Sequence, residues 1–333
     1  MSDARQDLAD ELARTLAPLL PERARSVCFI DPPAQPNVGD PVIFLGELAF
    51  LRRHRPGYRP WFVDRDYFAG HMDRWIERSD LIVIQGGGNF GDIWPDPHAF
   101  RLRIMKRFAH KTIVQMPQSV HFSDPARVTE MARLIEGQRD FTLLVRDDKS
   151  HAFASAAFAC PVVLAPDMAF AMPALTRAPP RLDVLCLLRT DKEAASDHAA
   201  IAEVLRRRGA SFEVADWLDE TTPELLAADR RAVDRLRRRP VLMHLLRGAS
   251  LRARERYGEG RLAIGIELLS RGRIVVTDRL HAHIMCCLLG IPHLVFDSFD
   301  GKISAMYRTW THRFPYARMI AASAELDSAL DAA

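Results

Sequence analysis

The apolar positions of this chain fall into short runs, each closed by a polar turn, with stretches of helical periodicity between them. Val27–Ile30, Leu81–Ile84, Thr112–Gln115, Phe141–Val145 and Val162–Leu164 are such runs, with Phe62-Val63 as a shorter one. After them come Val184–Leu188, Phe212–Val214, Ile274–Val276 and Leu294–Phe296. Short, mostly apolar runs bounded by turn formers predict strands buried on both faces. Helical segments between most of them predict a parallel sheet with crossover helices, and so an α/β fold. Leu8, Leu12, Leu16 and Leu19 recur at helical spacing and predict an amphipathic helix over 3–20. Acidic residues among its basic ones favour packing on the protein over docking on a membrane. Three prolines and no apolar period over 171–182 mark a boundary, after which a second strand series begins.

Composition narrows the class. The 333 residues are 48% hydrophobic and 27% charged, ordinary values for a globular protein. A formal net charge of +3 argues against a nucleic-acid binder. The arginine-rich runs at Asp229-Arg230-Arg231 and Arg235–Arg239 read as solvated helix faces in preference to membrane or nucleic-acid contacts. Cys28, Cys160, Cys186, Cys286 and Cys287 sit in or beside apolar runs without a CxxC pair, as buried thiols in a reducing compartment do. No uninterrupted apolar run reaches the ~18 residues of a membrane span, and no leader pattern opens the chain. The expectation is a cytoplasmic protein, with peripheral contact at a membrane left open.

Candidate chemistry gathers where strands end. Thr277-Asp278-Arg279-Leu280-His281-Ala282-His283 follows a buried strand and opens a helix that Gly290 can close, with Thr277 or Asp278 as its cap. Ligands bind at such strand ends, and a helix start with an arginine favours an anion. Asn37, Gly39 and Asp40 sit in another strand-to-helix loop, with Asp40 placed to cap and Pro41 to start the helix; a capping loop and a ligand loop fit it equally. Gly86, Gly87, Gly88 and Asn89 follow the buried Leu81–Ile84, in neither nucleotide-binding spacing, and read as a ligand loop or a tight turn. Met116-Pro117-Gln118-Ser119 and Arg146-Asp147 close two further strands. No HExxH or metal-spaced carboxylate set appears, so no metal site is expected.

In this order and spacing, Asn37-Val38-Gly39-Asp40, Gly86-Gly87-Gly88-Asn89, Pro117-Gln118-Ser119, Val145-Arg146-Asp147, Pro166-Asp167 and Asp278-Arg279-Leu280-His281 resemble the polysaccharide pyruvyl transferase family over about residues 27 to 310. The resemblance implies two Rossmann-like domains facing across a cleft, as in GT-B glycosyltransferases. Here they would be 1–175, on the acceptor side, and 183–333, on the donor side, with the last helix packing back on the first. It implies phosphoenolpyruvate as donor, no cofactor, and transfer of pyruvate onto two hydroxyls of one sugar as a cyclic ketal. The acceptor would be a precursor of exopolysaccharide or cell-surface glycan, lipid-linked at the inner face of the plasma membrane. Arg279, Leu280 and His281 would hold the donor with Arg146.

Asn37, Gly39, Gly86–Asn89, Gln118 and Ser119 are the candidate acceptor contacts. His281 is the first candidate acid, and a capping or core histidine is its plainer alternative. Asp40, Asp92 and Asp167 are candidate bases, with Asp40 grouped with Arg279 and His281 as catalytic. One difficulty stands: two positions apart on a regular helix, Arg279 and His281 would point about 200° apart. A GT-B nucleotide-sugar glycosyltransferase and an inactive glycan-binding relative are the competing readings.

Overall fold

The computed structural model describes residues 3–33, 37–65, 72–190, 196–218 and 247–332. Residues 34–36 of the Pro-rich turn, Asp191, and the arginine runs at 229–231 and 235–239 lie outside them.

The apolar runs form two sheets in which all the pairings are parallel. The first contains β1 (Ser26–Ile30), β2 (Arg59–Val63), β3 (Leu81–Ile84), β4 (Gly87–Gly91), β5 (Thr112–His121), β6 (Asp140–Val145) and β7 (Val162–Leu164), in the order β2-β1-β3-β5-β6-β7, with β4 paired to β5. The second contains β8 (Leu182–Leu187), β9 (Phe212–Ala215), β10 (Gly272–Thr277), β11 (His293–Val295) and β12 (Ala317–Met319), in the order β12-β11-β10-β8-β9. Both are Rossmann-like. In each, the winding reverses between the first strand and the third, at β1/β3 and at β8/β10. The loops leaving these strands at their carboxyl ends diverge and open a crevice there.

Helices fill the space around the sheets. α1 (Ala4–Leu16) buries Leu8, Leu12 and Leu16 completely against the turn at Met168–Ala171, so its apolar face is spent inside the protein. α2 (Gly39–His54) buries Phe44, Leu48 and Leu51. It packs against α6 (Arg247–Ser270) and α7 (Leu280–Leu289). One apolar cluster therefore runs from Phe29 and Leu81 through Phe44 to Leu185, Val275 and Ile284, joining the two sheets. α8 (Lys302–Thr309) lies on α4 (Asp148–Ala157), a helix of the first sheet's series. α9 (Leu326–Asp331), expected to return to the first sheet, instead packs on α5 (His198–Arg207) and β11.

Two expected loops are strand. Gly87–Gly91 forms β4, paired in parallel with the far end of β5. β5 itself continues through Pro117 to His121. Its ladder with β6 shifts register between Gln115 and Gln118, which spares Pro117 the N–H it lacks. The sequence pattern stops at Gln115 because that polar residue is followed, after Met116, by a proline and two more polar side chains.

Candidate active site

Loops from both sheets converge on one pocket of about 100 Å³. Asn37 and Asp40 reach it from the start of α2, Gly88 from β4, Arg146 from the end of β6, Arg189 from the end of β8, and Arg279, Leu280 and His281 from the β10–α7 junction. Trp94, Trp217 and Lys302 complete the wall. Among the described residues, Asp40 is the one carboxylate on that wall, against Arg146, Arg189, Arg279 and Lys302.

Arg146 is fully buried, and its guanidinium is aimed by fixed partners. Nε donates to Ser119 Oγ at 3.0 Å, and Nη1 donates to Asp167 Oδ2 at 2.7 Å. Ser119 Oγ in turn donates to Asp147 Oδ2 at 2.8 Å. Nη2 is left at the pocket side, where a β-carbon on Gly88 would lie 3.2 Å from it. Burial alone would raise the Asp167 carboxyl. His281, Arg146 and the Ala169 N–H together hold it far below the usual carboxylate range. His281 Nε2 stands 3.4 Å from Arg146 Nη1 and 3.7 Å from Asp167 Oδ2. The second distance is too long for a hydrogen bond, so Asp167 acts on the ring through its charge. The ring thus lies between a cation and an anion.

Arg279 lies outside the helix. α7 begins at Leu280, and Arg279 is its N-cap residue in extended conformation (φ −104°, ψ 120°), its N–H donating to Thr277 Oγ1 at 3.1 Å. Neither Thr277 nor Asp278 caps α7 through its side chain. Asp278 accepts from the Arg189 N–H at 2.8 Å and from Ser196 Oγ at 2.6 Å, tying the β8 and β10 loops together. The extended step at Arg279 removes the angular conflict with His281, and both side chains face one pocket. Arg279 Nη2 pairs with the buried Asp216, and its guanidinium carbon sits 5.4 Å over the Trp217 ring.

Residues 37–300 match the model of the family described as polysaccharide pyruvyl transferase. This chain belongs to that family. The chain is 31% identical over 307 residues to "Pyruvyl transferase 1" of Schizosaccharomyces pombe, covering 86% of this chain and 70% of the relative. It is 31% identical over 310 residues to the protein EpsO of Bacillus subtilis, covering 92% and 91%. A solved structure of an uncharacterised protein from Klebsiella pneumoniae superposes with a TM-score of 0.57 over 97% of this chain and 100% of that one. At 19% identity it speaks for the fold alone.

In this chain the start of α2 differs from its sequence expectation. Val38, not Asp40, is the N-cap residue. Asn37 Oδ1 accepts the Gly39 N–H at 3.1 Å, and Asn37 Nδ2 donates to Asp40 Oδ2 at 3.2 Å. Relieved of capping, the Asp40 carboxylate lines the pocket. Asp92 is no base: it is committed to the N–H groups of Ser123 and Asp124 and to Ser123 Oγ, at 2.8–3.1 Å. Gly39 is absent from the wall and lies instead against the His281 ring.

A second recess, lined in part by Asn37, Asp40, Trp94, Arg189 and Arg279, adjoins the pocket and adds Gln85, Gly86, Asn89, Asp31 and Arg65. The buried Glu47 fixes Gly86 by accepting its N–H at 2.9 Å. Burial, aided by the charge of Asp167 and opposed by that N–H, pushes the Glu47 carboxyl well up. Gln118, expected as a sugar contact, is fully buried with its amide committed: Nε2 donates to Gln85 O at 2.8 Å and to Asn89 Oδ1 at 3.0 Å, and Oε1 accepts the Asn89 N–H at 3.1 Å. Ser119 is likewise committed to Arg146 and Asp147. Gln118 and Ser119 therefore shape the site without lining it, as does Gly87. Arg189, Lys302, Trp94, Trp217 and Gln85 were not among the sequence candidates.

His283, next but one to His281, is structural. Ile291 O can only accept, so His293 Nδ1 donates to it at 2.8 Å, leaving His293 Nε2 to accept from His283 Nδ1 at 2.7 Å. His283 Nε2 then accepts from Thr311 Oγ1 at 2.7 Å. Cys287 lies beside the pair, and the three side chains have the donor types of a metal site. Each ring nitrogen is already spoken for by this hydrogen-bond chain.

Proposed function

We propose that the protein transfers the pyruvyl group of phosphoenolpyruvate to two hydroxyls of one sugar, closing a cyclic ketal and releasing phosphate. The observation that carries this reading is the convergence of Arg146, Arg189, Arg279, Lys302 and His281 on one small pocket. Phosphoenolpyruvate carries a phosphate and a carboxylate on three carbons, and planar guanidinium forks match both groups. Arg146 and Arg279 follow strands of different sheets. We assign 1–175 and 183–333 as the two domains, and gripping one dianion between them couples donor binding to their closure.

His281 gives its proton to the methylene carbon of the donor, making C2 electrophilic. The first sugar hydroxyl forms a bond to C2 as its proton passes to Asp40. The C2–O bond to phosphate then breaks, phosphate leaving with the electron pair beside Arg146 and Arg279. The second hydroxyl closes on C2 as its proton passes to His281, which completes the ketal and restores the acid. These steps use no cofactor and no metal. The adjoining recess takes the acceptor, with Asn37, Gly86 and Asn89 among its contacts. A lipid-linked glycan precursor at the cytoplasmic face of a membrane is the acceptor class that polysaccharide assembly calls for. Among the described residues no helix is long and apolar enough to cross a membrane, so contact there would be peripheral.

The test is donor choice. The protein is incubated with phosphoenolpyruvate, and separately with nucleotide sugars, in the presence of an oligosaccharide panel. Phosphate release accompanied by a ketal methyl signal in the proton spectrum is expected. Release of nucleoside diphosphate with none of phosphate would assign the pocket to glycosyl transfer instead.

A further inference from the structure

We propose that Gln85 is a specificity-determining residue of the acceptor recess, its carboxamide engaging two adjacent hydroxyls of the acceptor sugar. The inference rests on the pyruvyl-transfer reading for the identity of the ligand as a sugar. Its observations are separate from those that carry that reading.

Three glutamines converge where β3 meets β5, and their hydrogen bonding differs. Gln115 is saturated: Nε2 donates to Gln85 O at 2.8 Å and to Ile84 O at 3.2 Å, and Oε1 accepts from Arg101 Nε at 2.9 Å. Gln118 is saturated in the same way, inside the protein. Gln85 has neither side-chain atom matched, although it is only 4% exposed and lines the recess. A buried amide with both its donor and its acceptor unmet is costly, and native folds retain such groups where a ligand meets them.

The backbone around it is rigid. Gln85 N–H donates to Ile30 O at 3.1 Å, and Gln85 O accepts from both Gln115 and Gln118. The side chain thus leaves a main chain held on both sides, between β1 and β5. This preorganises it for recognition.

Asn89 supplies a second group of known orientation. Arg101 Nη2 at 2.5 Å and Gln118 Nε2 at 3.0 Å are both donors, so the Asn89 atom between them is the oxygen. Its NH₂ is therefore turned away from that cluster, and Asn89 lines the same recess. The recess thus offers an adjacent donor and acceptor, both unmet, at Gln85, further donors at Asn89, and the indole of Trp94 as an apolar wall. Neighbouring hydroxyls on a pyranose answer a carboxamide: one accepts its N–H while the other donates to its oxygen. A single anion could satisfy the N–H only, and an apolar group neither atom.

The experiment measures binding to the full chain by saturation-transfer NMR. The probes are methyl β-D-galactopyranoside, methyl β-D-glucopyranoside and methyl α-D-mannopyranoside, followed by the mono-deoxy forms of the tightest binder. Phosphoenolpyruvate binding is followed in parallel by calorimetry. Gln85→Leu keeps the bulk and removes both polar atoms. Gln85→Glu keeps the shape and removes the donor, and it serves if the leucine variant does not fold. Either variant is expected to weaken glycoside binding about tenfold or more, as loss of a paired hydrogen-bond site does, with phosphoenolpyruvate affinity unchanged. Two deoxy forms, at adjacent carbons, should lose about the same factor on the wild type and nothing further on Gln85→Leu. Equal glycoside affinity in wild type and variant would overturn the proposal, leaving ordered water as the partner of Gln85. So would no glycoside binding by the wild type at millimolar concentration. Neither result touches the phosphoenolpyruvate assignment, which the calorimetry decides on its own.

Discussion

Gly39 and His281 are packed so closely that a β-carbon on the glycine would fall 2.3 Å from His281 Nδ1. Gly39 opens α2 without a positive φ, so alanine there suits the backbone, and its nearest neighbours are the ring and β-carbon of His281. Gly39→Ala should therefore fold with an unchanged urea midpoint while its turnover falls by about 100-fold, the cost of moving a reacting group by an ångström. Wild-type turnover would show that the ring position is not what the reaction needs.

Arg279 tests the planar grip. Arg279→Lys keeps a cation beside Asp216 but loses the fork and the stack on Trp217. Phosphoenolpyruvate affinity measured by calorimetry should drop by roughly 10- to 100-fold. Affinity equal to the wild type would mean that charge alone binds the donor.

The histidine pair makes stability depend on pH. Burial lowers both: His293 is brought down to about 4, and His283 goes well below its usual value with the neighbouring ring adding to the effect. In the unfolded chain each titrates near 6.5. Below that pH the unfolded state takes up protons that the folded state refuses, so stability is full above pH ~6.5 and is lost as pH falls towards 4. The urea midpoint of the wild type should fall more steeply between pH 7 and pH 5 than that of His293→Gln. Parallel slopes would contradict the assignment of two neutral rings.

Arg101 carries its charge in a fully buried place, where burial brings it down to about 10. It holds Gln115 Oε1, Asn89 O and Asn89 Oδ1 at once and sits 4.9 Å over the Phe90 ring. Arg101→Met strands those three acceptors and should destabilise the fold by about 3 kcal/mol in urea unfolding. A change within experimental error would show that the glutamine cluster holds itself.

The strands were legible because their signal is local. Leu81–Ile84 and Val162–Leu164 have the bounds that their apolar runs define. β4 was hidden because glycine carries no hydrophobic signal, and only the edge of β5 makes Gly87–Gly91 a strand. The ordered motifs picked out Arg146, Arg279 and His281, which the structure brings to one pocket. They misjudged Gln118 and Ser119, whose polar character answers neighbours inside the protein and not a ligand. Arg189 follows a recognised strand at the second switch point, so the same strand-end logic would have found it. No periodicity or spacing distinguishes the unmatched Gln85 from the saturated Gln115.

Trp310 Nε1 donates to Arg146 O at 3.0 Å, and Lys149 Nζ donates to Asp300 O at 2.5 Å. A group that a ribosome makes early thus waits on one made near the end. A nascent chain that has emerged as far as the turn at Met168–Ala171 already contains Arg146 and Asp167, but it has neither His281 nor the indole that pins the Arg146 backbone. The pocket is completed only when nearly all of the protein has been synthesised, so chains cut short before Trp310 lack the anchor of the Arg146 backbone.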